Sequence, residues 1–376
     1  MSRQTNQFLV TSWLPQFLVT LCLFLVGSRA IAEEPIREGE PRAEFAALAA
    51  AREQGLDWLA KNQTPDGSWG KSYTIAVTGF ACLSYLGSSD EPYMGDRGRA
   101  LLSGLRFLIA NQQDGQFTAQ GHTWIHGQGF ATLALSEAYG RSLFAKTQPD
   151  IDMQQIRDIV GQAVQVIANS QSTSGGWWYT PGAPGSHEGS TTVCAVQALV
   201  SASNYGIEID KSVLARGFEY LKKCQNEDGG FDYKLGDAHS MKEGTAGGVA
   251  TLGLMKKFDY SVMIKGYDFL LKITPVTIGQ GQFPYYGQFY GCMGMHLLQQ
   301  EFGRDKAYRE NTSQYILAAQ QDVLSWQQED GAWPAKAWVV SSASEGEAYG
   351  TAFATLLLSV PESRLSIYNR RPPKLP

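Results

Sequence analysis

One short phrase recurs along this chain and limits what it can fold into. It reads "NQTPDGSW", "NQQDGQF", "NSQSTSGGW", "CQNEDGGF" and "WQQEDGAW", a glutamine followed five or six residues later by a large aromatic, with a tight turn between. The glutamines are Gln63, Gln112, Gln171, Gln225 and Gln327. The closing aromatics are Trp69, Phe117, Trp177, Phe231, Phe283 and Trp333, spaced 48, 60, 54, 52 and 50 residues apart. The fifth copy, "ITPVTIGQGQF", has Thr277 at the glutamine position. Self-similarity at a period near fifty residues marks a repeat architecture, here of six units.

Each unit reads as two helices. Before the glutamine lies an amphipathic segment such as "GLDWLAKN", "GLRFLIAN" or "GFEYLKKC". In the first copy Phe45, Leu48, Arg52, Gly55, Leu56 and Leu59 keep the three-and-four rhythm of a helix with one buried face. After the aromatic comes a loop and then a run apolar on most sides, among them "TGFACLSYLG", "TTVCAVQALV" and "GTAFATLLL". A helix apolar all round is buried all round. The expected fold is all-α, a closed double ring of six helix pairs with the enclosed set inside.

The repeated phrase itself is read as structural. Asp66-Gly67, Asp114-Gly115, Asp228-Gly229 and Asp330-Gly331 supply turns after helix ends. The aromatic buries area between units, and the glutamine satisfies backbone groups left over at a helix end. A catalytic group is seldom needed five times in one chain.

Over 376 residues the net charge is −5 and 43% of residues are hydrophobic, so no basic excess points to nucleic acid. Residues 1–32 stand apart: Arg3, the run "FLVTSWLPQFLVTLCLFLVG", then "AIA" before Glu33. This is the layout of a signal peptide and predicts export to the periplasm or cell exterior. Left uncleaved, the same segment would anchor the protein and bring it into contact with a membrane. Residues 33–43 read as a linker, 44–362 as the repeat domain, and 363–376 as a basic, proline-rich, disordered tail. Cys82, Cys194, Cys224 and Cys292 form no C-x-x-C pair, so there is no motif support for zinc.

Gln63 with Trp69, Gln171 with Trp177 and Gln327 with Trp333 resemble the "QW" motifs of squalene and oxidosqualene cyclases. Residues 44–360 resemble the prenyltransferase/squalene-oxidase repeat family, including its secreted bacterial members. The resemblance implies an α/α toroid with six inner and six outer helices around a central cavity. The family's activity motifs are missing. There is no D-x-D-D acid ("PDIDM", with Asp150 and Asp152, comes nearest), and no cysteine has an Asp two residues before it as a prenyltransferase zinc site would. Nor does a glutamine follow Cys292 three residues on, where Met295 stands, so the thioester of complement-like toroids is unsupported too.

One constellation remains. His122 and His126, His187 and His239 lie between a closing aromatic and the next enclosed helix. Glu188, Asp237, Glu243, Glu345 and Glu347 join them, with Tyr285, Tyr286, Tyr290 and Tyr349 in the last two units. In a closed ring, equivalent positions converge on one mouth of the cavity. His126, Glu188, Glu243 and Glu347 are the candidates for acid/base work. His122, His187, Asp237, His239, Tyr286, Tyr290 and Tyr349 are the candidates for ligand contact. His296, within "GMHLLQ", reads as a core histidine. The function expected is binding of an extended ligand, isoprenoid-like or oligomeric, in the central cavity. The alternatives are an atypical enzyme, acting on a lipid or as a glycan hydrolase or lyase, and a protein-interaction scaffold.

Overall fold

The computed structural model describes residues 43–118, 123–182, 184–255, 258–273, 283–335, 346–372 and 374–375. The signal-like segment and the linker therefore lie outside the described residues, as do His122 and Glu345. Twelve α-helices occur among the described residues. The outer set is α1 (Ala43–Lys61), α3 (Gly95–Ala110), α5 (Met153–Asn169), α7 (Lys211–Lys223), α9 (Tyr260–Ile273) and α11 (Lys306–Ser325). The inner set is α2 (Thr74–Ser88), α4 (Trp124–Ser142), α6 (Gly189–Asn204), α8 (Lys242–Leu252), α10 (Pro284–Phe302) and α12 (Glu347–Ser359). Two antiparallel two-residue hairpins, β1–β2 (Gln112–Gln113 with Gln116–Phe117) and β3–β4 (Phe231–Asp232 with Ser240–Met241), interrupt the links.

Pattern and burial agree. Helix α5 hides Ile156, Ile159, Val160, Ala163, Val164 and Ile167 on one stripe, whereas α2 is buried at every residue after Thr74. Phe45 departs from the expected face of α1 and is exposed, a turn ahead of the buried Leu48. Aspartates 152, 210 and 305 cap the outer helices α5, α7 and α11, each accepting backbone N–H groups of the first turn. The inner helices contact in the order α2, α4, α6, α8, α10, α12 and back to α2, so the ring closes. Each outer helix packs chiefly on the inner helix preceding it, with α1 on α12.

The repeated phrase is the joint between units. Gln63 Nε2 donates to Gly67 O in its own turn (2.8 Å) and to Ala100 O of the next outer helix (2.9 Å). Gln171 does the same to Gly175 and Val213, Gln225 to Gly229 and Val262, and Gln327 to Gly331 and Ala51. The last of these ties the sixth unit to the first. Trp69, Trp177 and Trp333 are fully buried, and each indole N–H donates to the carbonyl ten residues back. Gly67 has φ +92°, and a Cβ there would also strike the Ser103 carbonyl of α3, so both turn and close approach demand glycine. The second unit solves the joint differently. Gln112, one residue nearer its aromatic, accepts from Gly115 N, and Gln128 of α4 donates to Gly115 O and accepts from Phe117 N. In the fifth unit Phe283 is 38% exposed and is no joint; buried Tyr285 instead donates to Pro334 O.

Two expectations need correction. The tail does not begin at residue 363: Leu365, Ser366, Ile367 and Tyr368 are buried, entering the ring at the C-terminal ends of the inner helices. Glu137, wholly buried, accepts from Ser366 N (2.9 Å), Ser366 Oγ (2.6 Å), Tyr205 Oη (2.8 Å) and Ser201 Oγ (2.8 Å). Arg370 donates to the carbonyls of Gly253 and Met255 at the end of α8. A short segment with three apolar side chains gains enough by burial to be ordered despite its basic, proline-rich sequel. Among the described residues the middle of the ring is also packed rather than open. Phe80, Phe130, Phe353 and Phe289 pack ring to ring across the lumen, with Leu365, Ile367 and Tyr368 below them. The void they leave, of about 10 Å³, is the size of one water, whereas ligand pockets run to roughly 300–1,000 Å³.

Candidate functional site: the rim of the ring

Residues 365–368 cork one end of the ring, and several of the candidate residues gather at the other. This rim is formed by the N-termini of the inner helices and the links that lead into them. Consecutive units are laced together there: Ile125 N donates to Tyr179 O, and Gly189 N donates to Tyr233 O.

Glu188 is the centre of the group. It is wholly buried and caps α6, accepting from Ser190 N (2.6 Å), Thr191 N (2.9 Å) and, at short range, Ser190 Oγ. Tyr179 is its further partner, and Tyr179 Oη also shares a 2.7 Å hydrogen bond with Tyr233 Oη. On the other side His126 Nε2 lies 3.3 Å from Ser190 Oγ, with its ring against Phe130 and Tyr179. Hydrogen bonds thus join exposed Tyr233 to Tyr179, and Glu188 through Ser190 to half-buried His126, with Tyr179 and Glu188 side by side between them. Burial raises the Glu188 carboxyl above the ordinary carboxylate range, outweighing its hydrogen bonds.

Glu243 and the tyrosines sit beside this chain. Glu243, buried in the first turn of α8, accepts from Phe283 N at 3.3 Å. Tyr286 Oη is buried against α8, where a Cβ on Gly247 would collide with it, and Val193 of α6 borders the same spot. Burial pushes the Tyr286 phenol well up, and Glu188, Cys194, Tyr349 and Glu243 push it further, so these groups surround one ring. Tyr349 packs against Phe80, Tyr285 and Phe353.

His126, Glu188, Glu243, Tyr286 and Tyr349 therefore meet at one rim. The other candidates lie elsewhere. His187 turns outward to share a 2.9 Å hydrogen bond with Tyr220 Oη, and burial, with Lys234 nearby, lowers its pKa. Asp237 and His239 are exposed on the loop between β3 and β4, which Asp232 organises by accepting from Ala238 N and His239 N. Glu347 is exposed and accepts from Gln328 Nε2 of its own unit. Tyr290 is wholly buried and reaches Gln197 deep in the lumen. Neither Tyr179, Tyr233 nor Ser190 was anticipated. A signal existed for two of them, since each stands two residues past its unit's closing aromatic, Trp177 and Phe231.

His296 is a core residue, its Nε2 2.7 Å from Ser363 Oγ. The four cysteines are buried and free. Among the described residues, no three or more His, Cys, Asp or Glu side chains converge to hold a metal ion. No helix among them is long and apolar enough to cross a membrane.

The prenyltransferase alpha-alpha toroid domain matches residues 19–216 and 205–274. The chain belongs to that family. No curated protein matches this toroid by sequence. Among solved structures it resembles an inactive variant of the GH76A α-1,6-mannanase of Salegentibacter sp. HEL1_6 in complex with α-1,6-mannotetrose. The TM-score is 0.63 at 10% identity, covering 83% of this chain and 98% of the mannanase. It also resembles the type II terpene cyclase MstE of Scytonema in complex with merosterolic acid A, with TM-score 0.54 at 16% identity, covering 84% and 97%. A further MstE variant, in complex with geranylgeranyl dihydroxybenzoate, gives 0.53 at 16% identity, covering 85% and 98%. At these identities the likeness is one of fold.

Proposed function

We propose that this toroid binds a neutral, hydroxyl-rich oligomer, a glycan strand, across its rim. The observation that carries the reading is the division of the ring. Among the described residues its lumen is packed with apolar and aromatic side chains around a void of about 10 Å³, while the rim exposes Tyr233, leaves Tyr179 and His126 half-buried, and keeps Glu243 and the Tyr286 hydroxyl buried beside them. A prenyl chain needs the volume the lumen lacks; a sugar strand needs hydroxyl partners and aromatic faces on an accessible surface. Two carboxylates at the rim also disfavour a diphosphate. The likeness to a mannanase crystallised with a mannotetrose supports the direction of the reading. We extend the proposal to location: the signal-like residues 1–32 favour export, where polymeric glycans are met.

Calorimetric titration with neutral oligosaccharides, α-1,6-linked mannose oligomers among them, and with prenyl lipids is the test. The expected result is oligosaccharide binding, weakened about tenfold or more in Glu243→Gln and Tyr233→Ala. Lipid binding with no response to any sugar overturns the reading. The filled centre favours one second reading, a protein-interaction scaffold, which predicts no small ligand and no effect of those rim substitutions on partner binding.

A further inference from the structure

Of the six inner helices only α6 has a side-chain cap; α2, α4, α8, α10 and α12 start without one. The fold therefore does not require a cap at this level. The one present is a glutamate, outside the short residues that usually serve, and it is buried at the cost that burying a carboxyl carries. What distinguishes this helix start is Ser190, half-buried at the rim, whose Oγ is held by Glu188 and lies 3.3 Å from His126 Nε2. A hydroxyl with an imidazole in reach is the pairing that activates a serine, here with the third group holding the hydroxyl rather than the base, and such contacts are commonly loose before a ligand binds.

We propose that Ser190 is the nucleophile of an acyl-ester hydrolase site at the rim, with His126 as general base and Glu188 as the positioning residue. In the first step His126 Nε2 takes the Ser190 Oγ proton while Oγ bonds to the carbonyl carbon of a carboxylic ester. The tetrahedral intermediate collapses by breaking the carbon–oxygen bond to the alcohol, which leaves with the proton returned by His126. Water then adds to the acyl-serine by the same route, releasing the carboxylic acid and restoring Ser190. At rest Glu188 Oε1 accepts the Ser190 Oγ hydrogen and holds Oγ beside His126, so the hydroxyl has to turn to Nε2 for the transfer. The assignment does not depend on which ligand the rim binds.

The probe is an alkyl fluorophosphonate, with the modified peptide located by mass spectrometry and folding followed by circular dichroism. Wild-type protein is expected to be labelled at Ser190, and Ser190→Ala to melt normally and remain unlabelled. His126→Ala should label about 100-fold more slowly. Glu188→Ala should lose labelling, and Glu188→Gln, which keeps an acceptor for Oγ and for the α6 N–H groups, should restore most of it. Folded wild-type protein left unlabelled at Ser190 overturns the proposal, and so does a Ser190 that labels at the same rate in folded His126→Ala. Oligosaccharide titration of Ser190→Ala separates the two readings, since loss of reactivity with binding intact strikes the nucleophile alone.

Discussion

Glu188 couples the rim to acidity in a direction opposite to that of an ordinary salt-bridged carboxylate. Its folded pKa lies above the unfolded value. Both states are neutral in strong acid; as pH rises through the usual carboxylate range, the unfolded chain ionises first and stability falls until the folded pKa is passed. Denaturant titrations across that range should show this decline in wild type and a flatter profile in Glu188→Gln. Glu188→Ala should instead cost about 1–3 kcal/mol at any pH, because the N–H groups of Ser190 and Thr191 lose their acceptor. The role of Glu188 as a cap was illegible in the sequence, since a glutamate before "GSTT" looks like any loop carboxylate. His187 beside it misled for the same reason: adjacent residues on an extended backbone point to opposite sides, one to the rim and one to Tyr220.

Helices were the legible elements and the connecting segments were not. Periodicity exposes α5 or α2 because burial repeats every three to four residues, and the inner–outer alternation follows from which face is apolar. The strip that corks the ring is too short to show a period. Its apolar residues, Leu365, Ile367 and Tyr368, are masked by the prolines and arginines that follow. His296 reports on this strip. Burial lowers its pKa to about 4, and its partner is Ser363. A histidine neutral in the fold but protonated when unfolded lends stability above its unfolded pKa, lost as pH falls towards the folded one, here of the order of 3 kcal/mol. Hydrogen exchange should show amides of residues 363–370 losing protection between about pH 6.5 and 4, and His296→Gln should abolish the change. Ile367→Ala should cost about 2–5 kcal/mol in thermal or chemical unfolding, the penalty of a void in a packed core.

At the scale of the whole ring, the expected closure is present, carried by the same joint that links the first unit to the second, the third to the fourth and the fourth to the fifth. Trp333 lies against Gly55 of α1, with its indole bonded to Val323 O, and Gln327 reaches Ala51 O. Trp333→Ala should cost about 3–5 kcal/mol and strip exchange protection first from α1 and α12, the two helices it holds together. Among the described residues, aromatic side chains and a C-terminal strip fill the centre that family likeness led one to expect hollow, and no residue pattern in the helices distinguishes a lined cavity from a packed one.

That final seam spans 276 residues of sequence, from Gln327 back to Ala51. While the polypeptide is being made, its first helix has α2 and α3 beside it, with Arg97 paired to Glu53 and Asp57, but lacks α12, its main support, until the last unit has emerged. Contacts so distant in sequence are slow to form. Until the sixth unit is made, the nascent ring is an incomplete crescent with its greasy interior uncovered, a natural client for chaperones, and it gains its full stability only once that unit closes on the first.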